Sequence, residues 1–178
     1  MRRLRLAAVS LVLIAASAAC GGGSGDGAQT FEKDGFSFTF EYPGSFDETS
    51  DVSYSSQAGV EARDDVAIGL DDRNAIVVSR YDLNIEVTGQ NLGEVKAELD
   101  NVMSQVSGKE LSGKRIEIGG FPGFEYEFDL EDPPDGRSRF LVLFDGRREY
   151  TLNCQSTPDK RNELEAACRQ AVDSLART

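Results

Sequence analysis

The chain has 178 residues, 28% of them charged, with 31 acidic against 19 basic side chains and neither histidine nor tryptophan. A net charge of −12 repels nucleic acid and leaves no basic stripe for phosphate contacts. Without histidine, Ser–His and Cys–His nucleophile pairs are excluded, and the commonest transition-metal ligand is missing.

Arg2, Arg3 and Arg5 open the chain, and Leu6 to Ala16 follows as a nearly unbroken apolar run. Small residues then lead to Cys20. This is the layout of a secretory signal peptide. The run is shorter than the roughly 20 apolar residues that a membrane span needs. Residues 1–19 are therefore set apart from the folded body. Ala18-Ala19-Cys20-Gly21 resembles the lipobox of bacterial lipoproteins, with Ser17 where that pattern carries a large aliphatic residue. The resemblance implies cleavage before Cys20 and acyl chains such as palmitate on the new terminus. The protein would then be anchored in the cell membrane and face outside the cytoplasm. Ordinary signal-peptidase cleavage near Ala16-Ser17-Ala18, releasing a soluble chain, is the competing reading. Each buried methylene contributes about 0.8 kcal/mol, so two or more chains hold far better than one.

The cysteine count agrees with an anchor. The chain has three cysteines, and an odd number in an exported protein needs a reason. If Cys20 carries lipid, Cys154 and Cys168 remain as a pair, and export permits a disulfide. Removing the three signal arginines leaves 16 basic against 31 acidic residues, a balance of −15 for residues 20–178. Such a body also repels anionic headgroups. Basic protein faces and divalent cations suit it as partners, and plain solubility explains the charge as well.

Residues 20–29 hold the lipidated cysteine and a Gly/Ser-rich tether with a reach of about 15–18 Å. Residues 30–178 are expected to form one domain. Phe36 to Tyr42 alternates aromatic with polar residues, the pattern of a strand with one buried face, and Pro43-Gly44 stops it. Residues 45–60 are loop with at most a short strand. Val66–Leu70 and Ala75–Leu83 are β-rich runs around a four-residue turn, Asp71 to Asn74. Leu92, Val95, Leu99, Val102, Met103 and Val106 then recur at helical spacing, with Asn91 and Glu94 as a capping box. Ile116 and Ile118 resume a strand. Gly119 to Gly123 is a turn. Phe124, Tyr126, Phe128 and Leu130 alternate with acids in the cleanest period-two strand of the chain. After the turn at 132–136, the wholly apolar Phe140–Phe144 suits a central strand covered on both faces. Asp145-Gly146 turns again, and Tyr150, Leu152 and Cys154 share one face of the next strand.

Thr157-Pro158 is expected to start the last helix. Its stripe is Leu164, Ala167, Cys168, Ala171, Val172 and Leu175. Cys154 and Cys168 therefore both face the strand–helix contact, as a disulfide or as two buried thiols. A bond closing a loop of about 15 residues is worth roughly 3 kcal/mol. The expected fold class is α+β: an antiparallel sheet of about six or seven strands packed with two helices.

Chemistry is sparse. The glycine runs lack the lysine of a P-loop, or lie between two strands, so they read as turn glycines. Carboxylates cluster at Asp71 and Asp72, and at Glu131 and Asp132 with Asp135. These are weak calcium candidates, since calcium wants several oxygens from one turn and acids are common in turns anyway. No other metal site and no catalytic residue emerges. Aromatic side chains fill the core or line an apolar pocket.

Phe36 to Pro43, the middle helix, and Ile118-Gly119-Gly120-Phe121-Pro122-Gly123-Phe124-Glu125-Tyr126 together resemble PsbP-like domains. Tyr150-Thr151-Leu152 and a last helix closing near Ser174-Leu175 extend the match over about residues 31–176. Phe46 stands where the opening motif often has tryptophan. The placement of Cys154 and Cys168 resembles that of the LpqN-type lipoproteins of mycobacteria and their relatives. The resemblance implies an α/β sandwich with helices on both faces of the sheet, and mostly non-enzymatic members. The photosynthetic ones are extrinsic subunits of photosystem II that affect calcium and chloride retention. No residue here carries that role over. The expected function is a non-enzymatic, lipid-anchored binding or accessory module for an envelope protein, without cofactor; a carrier of a small apolar ligand is the alternative.

Overall fold

The computed structural model describes residues 27–49, 64–131 and 134–178. Cys20, the signal segment and Asp132 lie outside the described residues. Strand β1 (Ala28–Phe31) pairs with β2 (Phe38–Pro43), and β3 (Asp47–Thr49) follows. Next come β4 (Asp64–Asp71), β5 (Asn74–Asp82) and helix α1 (Leu92–Ser107). Strands β6 (Lys114–Ile118), β7 (Phe121–Leu130), β8 (Gly136–Asp145) and β9 (Arg148–Ser156) complete a second run. Helix α2 (Arg161–Ser174) and the two-residue strand β10 (Ala176–Arg177) close the chain.

The strands form a seven-stranded antiparallel sheet in the order β3-β4-β5-β9-β8-β7-β6 and a small sheet β1-β2-β10. The fold class is the expected α+β one. The tether expected to reach Gln29 instead becomes strand β1 at Ala28, because Gln29 pairs with Tyr42. β1 and β10 were not legible as strands: each is too short for a period and is held by β2 alone.

Alternation decides which face each side chain takes. Phe38, Phe40 and Tyr42 turn inward with Phe31, Phe121 and Tyr150 onto one face of the large sheet, under α2. Phe38 meets Tyr150 edge-on, with centroids 5.0 Å apart, and Phe31 stacks on Phe40 at 4.7 Å. Such pairs contribute about 0.5–1.5 kcal/mol beyond their buried area. These aromatics fill the core. On the other face Phe124, Tyr126, Phe128, Val142 and Phe144 pack under α1. Strand β8 lies between β9 and β7 with Leu141 to Phe144 all buried, as its apolar run predicts.

Three local expectations are corrected. Asn91 does not cap α1 with its side chain. Its Oδ1 accepts from the Thr88 N–H at 2.8 Å and its Nδ2 donates to the Glu86 carbonyl, so it ties down the preceding loop. Helix α2 starts at Arg161 and not at Pro158, because the Thr157 N–H donates to Asn74 Oδ1 at 2.8 Å and holds that segment against the β4–β5 turn. The turn after β6 is only Gly119-Gly120, both with positive φ (58° and 81°), as in a two-residue type I′ hairpin; Phe121 already pairs with Ile118.

The stripe expected on α1 is only partly buried. Leu92 and Met103 are buried, while Val102 and Val106 are exposed. The reason is Asp100. Its carboxylate accepts from Lys96 Nζ (2.6 Å), the Gly113 N–H (2.9 Å) and the Tyr126 hydroxyl (2.9 Å). These bonds fasten the Asp100 side of the helix to β7 and to the segment before β6, and Val102 and Val106 lie on the other side.

Candidate functional site

The face under α2 is apolar only as far as the helix reaches. Beyond Leu141 on β8 and Leu152 on β9, the same side of the sheet carries Arg139, Arg137 and Cys154. Strand β7 supplies Glu125 and Glu127 to that side, since Phe124, Tyr126 and Phe128 occupy the other. The result is a cleft of about 300 Å³ between α2 and β7–β8.

Its floor is the Cys154–Cys168 disulfide, with Leu164 beside it. The expected pairing is therefore present: strand and helix present the two sulfurs to each other across the packed interface. All three floor residues are buried. Arg139 Nη1 lies 3.9 Å from Cys168 Sγ, and Arg139 Nε donates to Glu125 Oε1 at 2.6 Å. Lys114 Nζ reaches the other oxygen of Glu125 at 3.7 Å. Arg137 Nη2 donates to Glu127 Oε2, also at 2.6 Å. In each pair the arginine sits diagonal to its acid, since the register sets Glu127 opposite Arg139 and Glu125 opposite Leu141. From α2, Glu165 and Arg169 form the outer wall. Among the described residues Arg169 has no carboxylate partner. The walls thus carry three guanidinium groups, of which Arg139 is paired with Glu125 and Arg137 with Glu127, while Arg169 stands one turn from Glu165.

This cleft was missed in the sequence. The signal was present in Glu125 and Glu127 on one strand facing Arg137 and Arg139 on the next. Reading the strand as beginning at Phe140 concealed its charged half.

The acidic clusters are placed differently. Asp71 spends its carboxylate on its own turn. Oδ1 accepts from the Arg73 N–H at 2.9 Å, and Asn74 Nδ2 reaches both oxygens at 2.9 and 3.0 Å. Asp72 is exposed in that turn. Glu131 is exposed in the turn after β7, where Asp135 takes a left-handed φ of 58° and its carbonyl accepts from Arg161 Nη2 at 2.7 Å. Strand β9 separates the two turns, and among the described residues no three acids, cysteines or histidines converge as metal ligands.

One carboxyl stands out electrostatically. Burial pushes Glu149, on β9, up to about 7.

No protein-family profile and no curated protein sequence matches the chain. Solved structures do. The solution structure of cyanobacterial PsbP (CyanoP) from Synechocystis sp. PCC 6803 superposes with a TM-score of 0.58 at 14% identity, over 90% of this chain and 98% of that one. A crystal structure from Bacteroides thetaiotaomicron VPI-5482 gives a TM-score of 0.50 at 11% identity, over 84% of this chain but only 48% of the larger neighbour. At such identities the likeness is one of fold. The order of strands, the helix on each face and the match over nearly all of the cyanobacterial protein establish that this chain has a PsbP-like fold.

Proposed function

We propose that the protein is a lipid-anchored, non-enzymatic module that binds or assists another protein of the cell envelope, with kinship to the LpqN-type lipoproteins. The observation that carries this reading is the distance along the chain from Cys20 to the first strand. Residues 21–27 separate the lipobox-like cysteine from Ala28, and a glycine-rich stretch of that length reaches only about 15 Å. An acylated Cys20 would hold the domain close to the membrane surface, and the balance of −15 over residues 20–178 would keep it from lying flat on anionic lipid. The disulfide between the last long strand and the closing helix suits an oxidising compartment. The cleft is ringed by charged side chains and is a poor container for a purely apolar ligand, which disfavours the carrier alternative.

Replacing Cys20 with alanine tests this reading. The wild-type protein should sediment with membranes and crosslink there to a discrete partner. Cys20→Ala should shift it to the soluble fraction and abolish the crosslink. Wild-type protein found wholly in the soluble fraction would refute the anchor.

A further inference from the structure

The cleft between α2 and β7–β8 has three features that together specify a ligand. Its volume, about 300 Å³, is at the small end of pockets that hold organic molecules. Its floor is apolar and buried, made of Leu164 and the two bonded sulfurs. Its walls carry three arginines, two of them ion-paired and one, Arg169, not. Arg139 is committed to Glu125 by Nε and lies against the disulfide. Arg137 gives only Nη2 to Glu127, so its remaining N–H donors are available. Arg169 has no carboxylate partner among the described residues, although Glu165 lies one turn before it on the same helix. A guanidinium group that lines a cavity and has no ion-pair partner is complementary to a carboxylate.

We propose that this cleft binds a small organic monocarboxylate. Its charged group lies between Arg169 and Arg137, and its apolar body rests on Leu164 and the Cys154–Cys168 disulfide. Glu127 and Glu165 at the rim set the charge limit: they tolerate one negative charge and repel a second. Inorganic phosphate, which is more highly charged and has no apolar body, is correspondingly a poor fit. The proposal does not depend on the lipid anchor, so its failure leaves that reading intact.

Protein isolated from cells expressing the full chain, labelled with nitrogen-15, is titrated with benzoate while amide signals are followed by NMR. Saturable shifts centred on Cys154, Cys168 and Arg169 are expected, with a Kd of about 1 mM or tighter. Benzamide, the neutral analogue, and phosphate should each bind at least tenfold more weakly. Arg169→Ala, an exposed helix position whose folding the spectrum itself verifies, should weaken benzoate at least fivefold. Arg115→Ala, on the opposite side of the sheet, should leave it unchanged. Benzoate shifts that fail to saturate by 20 mM would overturn the proposal. So would equal binding of benzamide or phosphate, or an Arg169→Ala protein that binds as well as wild type.

Discussion

Asp100 shows how one polar residue can set the seating of a helix. Burial favours its neutral form, but hydrogen bonds from the Gly113 N–H, Lys96 and Tyr126 outweigh this and hold the carboxyl below the usual carboxylate range. The same contact, after burial, pushes the Tyr126 hydroxyl up. A carboxyl whose folded pKa lies below its unfolded value stabilises the fold above the unfolded value and loses that contribution as pH falls through the folded one. Asp100→Ala should therefore lower stability at pH 7 by about 2–3 kcal/mol, since it leaves the Tyr126 hydroxyl and the Gly113 N–H unpaired. The gap between variant and wild type should narrow below about pH 4, which denaturant melts across pH can measure.

Glu149 has the opposite sign. Its folded pKa of about 7 exceeds the unfolded value near 4.3, so the folded state retains a proton that the unfolded chain has lost. Stability attributable to this residue falls as pH rises between those values, and the full cost is present above pH 7. The side chain is only half-buried, so the cost is on the order of 2 kcal/mol. Glu149→Gln should stabilise the protein by that amount at pH 8 and by almost nothing at pH 4.

At the scale of elements, two of the contacts that fasten the closing segment give separate predictions. The disulfide ties β9 to α2, and reducing it, or making Cys168→Ala, should lower stability by about 3 kcal/mol. For a chain of this length the melting temperature should then fall by roughly 6–12 °C. The second contact is the Gly119-Gly120 hairpin against Leu175. A Cβ on Gly119 would meet the Leu175 carbonyl oxygen at 2.7 Å and must also adopt a φ of 58°. Gly146 has a similar φ of 62° but open space around it. Gly119→Ala should cost about 2–3 kcal/mol and Gly146→Ala about 1 kcal/mol, since only the first combines strain with a clash.

Legibility in the sequence followed the length of each period. Strands β7 and β8 and helix α2 bury long, regular stripes, and those stripes marked them. Strands β1 and β10 are defined by pairing with β2, which no local pattern announces. The start of α1 after Asn91 was legible but its capping bond was not, and the start of α2 was misplaced: Asn91 and Thr157 carry capping chemistry but use it on other segments. The cleft was hidden because its charged residues alternate along strands as ordinary solvent-facing residues do. Only the register shows that Glu127, Arg137 and Arg139 line one concavity under α2, with Glu125 paired to Arg139 on the same side of the sheet.

For the whole molecule, the proposal joins a PsbP-like domain of strongly acidic balance to a membrane through a short glycine-rich tether. The anchoring reading gives the domain's charge and its disulfide a setting, and it depends on Cys20 being the acylated terminus of the exported chain; the cleft stands apart from it. The intact mass of the protein purified from its native membrane, with and without reduction, addresses this directly. The account predicts the mass of residues 20–178 plus acyl chains, rising by two hydrogens on reduction as the Cys154–Cys168 bond opens. An unmodified chain beginning at a residue other than Cys20 would contradict the anchor and leave a secreted, freely diffusing protein.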